Sequence, residues 1–223
     1  MGALQPLVHI RLDPEAVRDA LTQAWLARFG REPSPRSINL LLAHIALETG
    51  MSECRNWNLG NVKATVGGDA DWCVFRTWEV ENGIKVPQDA AFRSFPNIGA
   101  GADFYLGFLF HRFAKAWPSV IAGEPGMFAV CLKSQGYYTA PLEDYASGMR
   151  GLFAKYWTHL AQSLLCAAGY AVAIDGILGP ATSSALAHFQ ADAGLPNTGH
   201  ADDATIGALH AAPAPPDTLP EVA

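Results

Sequence analysis

The residue whose type and position best suit chemistry is Glu48, in the segment Ala-Leu-Glu-Thr-Gly at residues 46–50. It falls in the last turn of the most apolar predicted helix, where burial and the negative end of the helix dipole both favour a protonated carboxyl. A carboxyl that stays protonated near neutral pH can act as the general acid that cleaves a glycosidic bond. From position alone, however, a glutamate that simply reaches solvent at a helix end fits better.

Two further carboxylates, Glu79 and Glu81, lie on the outgoing strand of a predicted hairpin and share a face with Phe75 and Thr77. If this hairpin folds over a cleft, one of them could face Glu48 and complete the pair of carboxyl groups that glycosidases use. Taken alone, the two glutamates fit a solvated strand end beside a turn better than a catalytic site.

Other catalytic chemistries find little support in the sequence. His44 precedes Glu48 by one helical turn, but no HExxH motif or cluster of His and Cys accompanies it. We therefore expect a buried core histidine, with no metal and no cofactor. There is also no GxSxG motif and no cysteine-nucleophile signature. Tyr137 and Tyr138 follow Gly136 and could equally contact a sugar ring or lie in the core.

The cysteines are spaced too irregularly to form a metal site or a disulfide framework, and we expect ordinary buried thiols. A bridge between Cys54 and Cys73 stays open if the protein works outside the cytoplasm. The four positions are Cys54, Cys73, Cys131 and Cys166.

The elements that must position these residues can be predicted from local signals. Asp13-Pro14 and Ser34-Pro35 each predict the start of a helix, and Gly30 and Gly50 predict the two ends. The aromatic and β-branched residues 72–81, followed by Asn82-Gly83, predict a hairpin that returns over residues 84–95. Apolar spacing then predicts three more helices, over residues 99–116, 125–134 and 141–157.

The C-terminal part contains an internal repeat. Gly176 and Thr182, followed by Ala-Leu, recur as Gly199 and Thr205 at a spacing of 23 residues. Each copy predicts a glycine turn followed by a short helix. With a further helix over about residues 158–168, the repeat predicts a compact three-helix module whose function is binding.

Composition supports two modules. Half of the 223 residues are apolar and the net charge is −6, which argues against a nucleic-acid binder. Every Lys and Arg lies between Arg11 and Lys155, whereas residues 158–223 contain six acids and no base. We therefore predict one domain over residues 1–157, a second over residues 158–211, and a disordered Pro-rich tail over residues 212–223.

The segments around the candidate residues resemble the family 73 glycoside hydrolases, which are bacterial β-N-acetylglucosaminidases that cut peptidoglycan. The likeness covers about residues 35–157 and is carried by residues 46–50, 58–64, 77–83, 91–95 and 136–141, with Tyr145. It implies a lysozyme-like α+β domain, mainly helical, with an inserted hairpin and a glycan cleft. It also implies catalytic roles for Glu48, Glu79 and Tyr137, and substrate-binding roles for Asn58, Lys63, Trp78 and Tyr138.

The sequence departs from that family pattern beside the acid. The family commonly has Glu-Ser-Gly-Trp-Gly, whereas Thr49, Met51 and Ser52 replace the Ser, the Trp and the second Gly here. Its usual Phe-Gly is replaced by Gly60-Asn61. An aromatic platform in the cleft would then come from elsewhere, with Trp57 or Trp78 as candidates.

Residues 160–210 resemble the three-helix peptidoglycan-binding domain through their glycine turns, their threonines and Phe189-Gln190. The resemblance implies the cell wall as ligand and Tyr170, Asp175, Thr182 and Gln190 as wall-binding residues. Because this region has no base, binding is expected to depend on shape and neutral hydrogen bonds rather than on attraction to anionic polymers.

Together these observations predict a peptidoglycan hydrolase that cleaves β-1,4 N-acetylglucosaminyl linkages by general-acid catalysis, as an endolysin or a secreted lytic effector. A lytic transglycosylase with the same acid is one alternative, and a non-catalytic wall-binding protein is another. We expect a monomer whose partner is peptidoglycan, with no nucleic acid and no membrane insertion. The N-terminal residues do not resemble a secretory signal. We therefore expect synthesis in the cytoplasm and action on the wall after release through a phage pore, delivery in a virion or contact-dependent secretion.

Overall fold

The structure is a computed structural model that describes residues 1–81 and 84–212; the side chains of residues 78–81, 84 and 85 lie outside that description. The predicted Asn82-Gly83 turn and the predicted tail beyond Ala212 therefore lie outside the described residues. The chain divides into two compact units, residues 1–153 and residues 154–223.

The first two helices begin and end at the residues that predict them. Helix α1 spans Pro14–Phe29, and the Asp13 side chain accepts a hydrogen bond from the Ala16 backbone N–H at its start. Helix α2 spans Pro35–Thr49, and Ser34 caps it by accepting from Ser37. Each helix ends at a glycine in the left-handed conformation, Gly30 or Gly50.

Helix α2 lies in the centre of the first unit, as its apolar sequence predicts. Leu40, Leu41, Leu42 and Ile45 are completely buried, and the helix packs against α1 and α4 (Trp117–Ala122). Burying each of these side chains stabilises the fold by about 1.5–3 kcal/mol. The carboxyl-terminal end of α2 is therefore held firmly in place, and with it Glu48.

The predicted hairpin follows α2. Strand β3 spans Trp72–Glu81 and pairs antiparallel with β4, Ile84–Arg93, in a register that sets Trp72 opposite Arg93. Phe75 stacks on Phe92 with ring centroids 4.0 Å apart. A second short sheet pairs β1, His9–Ile10, with β2, Cys54–Arg55, and so ties the N-terminal segment to the loop after α2.

The remaining helices of the first unit differ slightly from prediction. Helix α3 spans Ile98–Arg112, short of the predicted end at 116, and a 3-10 turn over Ala114–Ala116 leads into the unpredicted α4. Pro118 in the first turn of α4 and Gly123 after its end account for this separate short helix. Helix α5 spans Pro125–Ser134 as predicted.

The predicted break between helices at residues 157 and 158 was wrong. Helix α6 runs without interruption over Leu142–Ala167. Residues 152–168 contain no Gly or Pro, and Tyr156, Leu160 and Leu165 continue the buried spacing through the charge boundary. The loss of Lys and Arg after Lys155 marks a change of surface composition and not the end of a helix.

The second unit packs the last part of α6 against α7, Pro180–Asp192, and α8, Asp203–Ala211. Its core is a single apolar cluster that includes Leu165, Leu186 and Ile206. Three helices and two glycine turns are what the internal repeat predicts. With a mainly helical first unit and one main hairpin, the predicted α+β fold class is confirmed. All four cysteines are free thiols in the structure.

Candidate active site

Glu48 lies at the end of the buried helix α2, with its side chain 20% exposed. The hydroxyl of Tyr145 donates a hydrogen bond of 2.8 Å to its Oε1. Among the residues that the structure describes, none donates a hydrogen bond to Oε2. One carboxyl oxygen is thus fixed by the protein, while the other is left for a proton or a ligand.

Tyr145 reaches Glu48 from the first turn of α6, which begins after Pro141. Its ring stacks on Tyr138 with centroids 3.7 Å apart and planes 6° apart. Tyr138 is itself fixed, because its hydroxyl donates to the Ala129 carbonyl at 2.9 Å. Tyr138, predicted to bind substrate, therefore supports the tyrosine that contacts the acid.

The tyrosines around Glu48 remain protonated hydrogen-bond donors at neutral pH. Burial raises the pKa of Tyr145 well above its usual value, and the neighbouring Glu48 charge raises it further. The same two causes raise the pKa of Tyr137. Tyr105 on α3 is fully buried, and burial is again the main cause of its raised pKa.

Tyr137 lies beside this group. It is half-buried, its ring centroid is 5.1 Å from that of His44, and its hydroxyl is 3.4 Å from the Gly60 carbonyl oxygen. Because that hydrogen bond is long, the hydroxyl can turn toward another acceptor at small cost. The position suits a side chain that orients a ligand next to Glu48.

His44 is completely buried, as predicted. Its Nε2 lies 3.4 Å from Glu48 Oε1 and 2.9 Å from the Tyr145 hydroxyl. The described residues contain no group of three or more acidic, Cys or His side chains that could hold a metal ion.

Asn58 has a structural role in place of the predicted substrate contact. It is only 3% exposed, and its side chain bonds to Val62 through both its oxygen and its amide nitrogen, and to the Arg93 carbonyl. These bonds hold a loop in which Asn56, Trp57 and Asn61 all have positive φ, a conformation that costs energy in residues other than glycine. The polar atoms of the Asn58 side chain are therefore bonded to the backbone of Val62 and Arg93 and not left for a ligand.

Three of the residues with predicted roles belong to the hairpin or lie at its edge. The side chains of Trp78 and Glu79 lie outside the described residues; for Glu79 the backbone pairing with Val86 is defined. Lys63 is exposed and its backbone pairs with Phe92 at the edge of the hairpin. The roles of these three residues stay predictions.

In the second unit, two buried glutamines hold the two glycine turns. Gln162 accepts hydrogen bonds from the backbone N–H groups of Asp175 and Gly176, and Gln190 accepts from those of Thr198 and Gly199. Both turn glycines have positive φ, which only glycine adopts without strain.

The amide nitrogen of each glutamine also bonds to a threonine in the helix that follows the turn. Gln162 Nε2 donates to Thr182 Oγ1 at 3.1 Å, and Gln190 Nε2 donates to Thr205 Oγ1 at 2.9 Å. Gln190 is 0% exposed and Thr182 is 4% exposed. The prediction that these two residues contact the wall is therefore corrected, because their polar atoms face the interior of the fold.

The other two predicted wall-binding residues reach the surface. Asp175 is exposed, and hydrogen bonds from the Ile177 N–H and from Gln162 lower its pKa. The Tyr170 hydroxyl donates to Asp192 at 2.9 Å. A cavity of about 190 Å³ also lies within this unit, lined by residues that include Trp157, Leu178 and His200. Sequence reasoning did not single out Trp157, whose indole N–H donates to the Ala201 carbonyl at 2.6 Å.

Residues 158–209 match the family model of a putative peptidoglycan binding domain. This confirms the resemblance found in the sequence for that region, which we call the peptidoglycan-binding module. A comparison with curated protein sequences finds no match.

The chain also resembles solved structures. A mutant of a peptidoglycan hydrolase from Sphingomonas sp. A1 shares 26% identity, with 62% of this chain and 92% of that chain covered and a TM-score of 0.48. The truncated glycoside hydrolase domain of FlgJ from Salmonella typhimurium shares 22% identity, with 63% and 95% covered and a TM-score of 0.42. The catalytic domain of the autolysin Auto from Listeria monocytogenes shares 17% identity, with 64% and 81% covered and a TM-score of 0.49.

These structures are those of a peptidoglycan hydrolase, a glycoside hydrolase domain and the catalytic domain of an autolysin. None of the described helices combines the length and apolar character needed to cross a bilayer.

Proposed function

We propose that the chain is a peptidoglycan hydrolase in which Glu48 is the general acid and the glycan strand is cut at β-1,4 N-acetylglucosaminyl linkages. The observation that carries this proposal is that, among the described residues, Tyr145 donates a hydrogen bond to Oε1 of Glu48 and none donates to Oε2. Oε1 accepts a hydrogen bond from Tyr145, and α2 holds the side chain at the surface of a buried core. A carboxyl fixed through one oxygen can present a proton on the other in a constant direction.

In the proposed reaction, the Oε2 proton of Glu48 passes to the glycosidic oxygen as the bond from that oxygen to the anomeric carbon breaks. The bonding electrons leave with the oxygen, so that positive charge develops on the sugar ring. The oxygen of a water molecule then bonds to the anomeric carbon, and the proton that the water loses goes to a base. The net result is hydrolysis, with one new reducing end for each bond cut.

The base is either Glu79 or, with participation of the substrate acetamido group, the Glu48 carboxylate that the first step leaves behind. The length of the Tyr137 hydrogen bond supports a role for that residue in orienting the acetamido group or the water. The tyrosines supply protonated hydroxyl donors at neutral pH, and burial raises their pKa values further above the usual range.

The peptidoglycan-binding module supports the choice of substrate. We propose that it holds the chain on the wall and so raises the concentration of glycan near Glu48 without any new contact at the acid. Because the module contains no Lys or Arg, its binding is expected to be nearly independent of salt.

Mass spectrometry of purified peptidoglycan after digestion tests the proposal. New N-acetylglucosamine reducing ends are expected. Muramic acid reducing ends would show that the other glycosidic linkage is cut. Anhydro-muramic ends would show that the protein is a lytic transglycosylase. Binding to the sacculi with no release of fragments would contradict catalysis and would support a wall-binding protein.

A further inference from the structure

His44 is the centre of a hydrogen-bond chain that the proposed reaction does not yet use. The side chain is completely buried on α2, one turn before Glu48. Its Nδ1 lies 2.6 Å from the hydroxyl of Tyr105, and its Nε2 lies 2.9 Å from the hydroxyl of Tyr145. Both ring nitrogens are therefore occupied by tyrosine hydroxyls from two other helices.

The ionisable groups that face the imidazole are few and can all be named from the described residues. They are Glu48 from α2 itself, Tyr105 from α3, Tyr137 from the loop after α5, and Tyr145 from α6. Phe128 of α5 closes the remaining side with its ring centroid 5.1 Å away. Among the residues that the structure describes, these surroundings hold one carboxyl group and no cationic group.

The donors and acceptors fix a direction along this chain. The Tyr145 hydroxyl has one proton, and it donates that proton to Glu48 Oε1. Its oxygen can then only accept from His44, so Nε2 carries a hydrogen. In a neutral imidazole the other nitrogen is an acceptor, and at 2.6 Å Nδ1 can accept from the Tyr105 hydroxyl. Each hydroxyl and ring N–H in the chain then has an acceptor.

We propose that His44 is a positioning residue for Glu48, acting through Tyr145: as a neutral imidazole with its proton on Nε2, it keeps the Tyr145 hydroxyl directed at Oε1. Since Oε1 is then occupied as an acceptor, the carboxyl proton is carried by Oε2, where a glycosidic oxygen can take it. This inference rests on the proposed role of Glu48 as the general acid.

The alternative is an imidazolium that forms an ion pair with Glu48, whose Oε1 is 3.4 Å away. In that state Nδ1 would donate to Tyr105, which would have to donate to the Leu41 carbonyl at 3.5 Å. The Tyr105 hydroxyl proton would then have an acceptor only at the outer limit of hydrogen-bond distance. In the neutral form the same proton has His44 Nδ1 as its acceptor, at 2.6 Å. The geometry therefore favours the neutral form.

Two substitutions separate positioning from a merely structural role. In His44→Gln, an amide can donate to Tyr145 and accept from Tyr105, but it cannot titrate. We expect kcat within about threefold of the wild type and an unchanged pH profile of kcat. In His44→Leu both hydrogen bonds are lost, and we expect kcat to fall at least tenfold with KM unchanged, because the buried residue cannot touch substrate.

Tyr105→Phe provides a second variant in case His44→Leu fails to fold. It removes only the hydroxyl that lies at the end of the hydrogen-bond chain away from Glu48. We expect kcat to fall about threefold with KM unchanged. Folding of each variant is checked by circular dichroism and thermal melting. Wild-type kcat in a folded His44→Leu or Tyr105→Phe variant would overturn the inference. An equal loss in His44→Gln and His44→Leu would also overturn it, because it would mean that the imidazole itself is required.

A readout that does not depend on activity keeps this inference separate from the proposed function. Nitrogen-15 NMR of the wild type at the pH of the activity assay, with His44 assigned from the His44→Gln spectrum, should show protonated Nε2 and unprotonated Nδ1. Two protonated nitrogens at that pH would overturn the neutral positioning role. If the NMR result is as expected but Glu48→Gln keeps full activity, the proposed function fails instead.

Discussion

The hydroxyl of Tyr145 donates a 2.8 Å hydrogen bond to Oε1 of Glu48, although the two residues are 97 positions apart in the sequence. The bond joins the last turn of α2 to the first turn of α6. Helix α2 is fixed by its buried leucines, and Tyr145 is fixed by its stack on Tyr138. Two independently anchored helix ends thus set the direction of one carboxyl group.

Tyr145→Phe should lower wall hydrolysis by about tenfold to a hundredfold. The substitution keeps the ring and its stack but removes a hydrogen bond to a carboxylate, which is worth about 1.5–3 kcal/mol. The measurement is the initial rate of clearing of a suspension of purified sacculi. Tyr156→Phe is the matched control, because it removes a tyrosine hydroxyl from the same helix, about three turns further along the chain than Tyr145. Equal rates for wild type and Tyr145→Phe would show that this bond has no catalytic role.

Glu79→Gln separates the two candidates for the base. If Glu79 takes the proton from water, kcat should fall at least about a hundredfold, the usual size of a general-base contribution. Glu81→Gln, two residues further along the same strand, makes the same change of charge and should have little effect. A loss of less than tenfold in Glu79→Gln would instead favour participation of the substrate acetamido group, with the Glu48 carboxylate as the base.

Gln190→Met should destabilise the peptidoglycan-binding module by about 3 kcal/mol or more. Met has a similar size, but it leaves the Thr198 and Gly199 N–H groups and the His200 carbonyl without the partner that Gln190 provides. Hydrogen exchange of the full chain, read by mass spectrometry in peptides from residues 158–209, measures the loss. Gln23→Met, the same change at an exposed position, should alter stability by less than about 0.5 kcal/mol. Unchanged protection in Gln190→Met would contradict the structural role.

We predict that the buried thiol of Cys54 lowers the free energy of unfolding in alkaline solution. Burial raises the pKa of this thiol from 9.0 to about 12. Below pH 9 the thiol is protonated in both the folded and the unfolded chain, so it has no effect there. Above pH 9 the unfolded chain ionises first, and the free energy of unfolding falls by up to about 1.4 kcal/mol per pH unit.

Urea unfolding in the presence of a reductant, at pH values from 7.5 to 10, tests this slope. Cys54→Ala should decline less steeply than the wild type above pH 9. Burial also raises the pKa of Cys73, so some decline should remain in the variant. Parallel curves for the two proteins over the whole range would contradict the prediction.

The parts of the fold that sequence reasoning predicted are those governed by local chemistry. Asp13 and Ser34 cap their helices through bonds to residues three positions away, and Gly30 and Gly50 end them. The hairpin was also predicted from local chemistry, by the aromatic and β-branched residues over 72–81. The uninterrupted α6 was missed because the change in charge after Lys155 was taken for a break between two helices.

The candidate site was predicted only in part because its bonds join distant residues. Position and resemblance pointed to Glu48 and Tyr137, but Tyr145 had no assigned role, since nothing local indicates a contact 97 residues away. The buried glutamines were missed for a related reason. Gln162 precedes its turn glycine by 14 residues and Gln190 by 9, so they do not follow the 23-residue repeat.

The rate at which Glu48→Gln releases reducing sugar from purified peptidoglycan tests the central claim most directly. Glutamine has nearly the same shape and can still accept from Tyr145, but it has no proton to give to the glycosidic oxygen. The account predicts a rate at least about a hundredfold below that of the wild type, with binding to sacculi and the melting temperature unchanged. A folded Glu48→Gln variant that releases reducing sugar at the wild-type rate would contradict it.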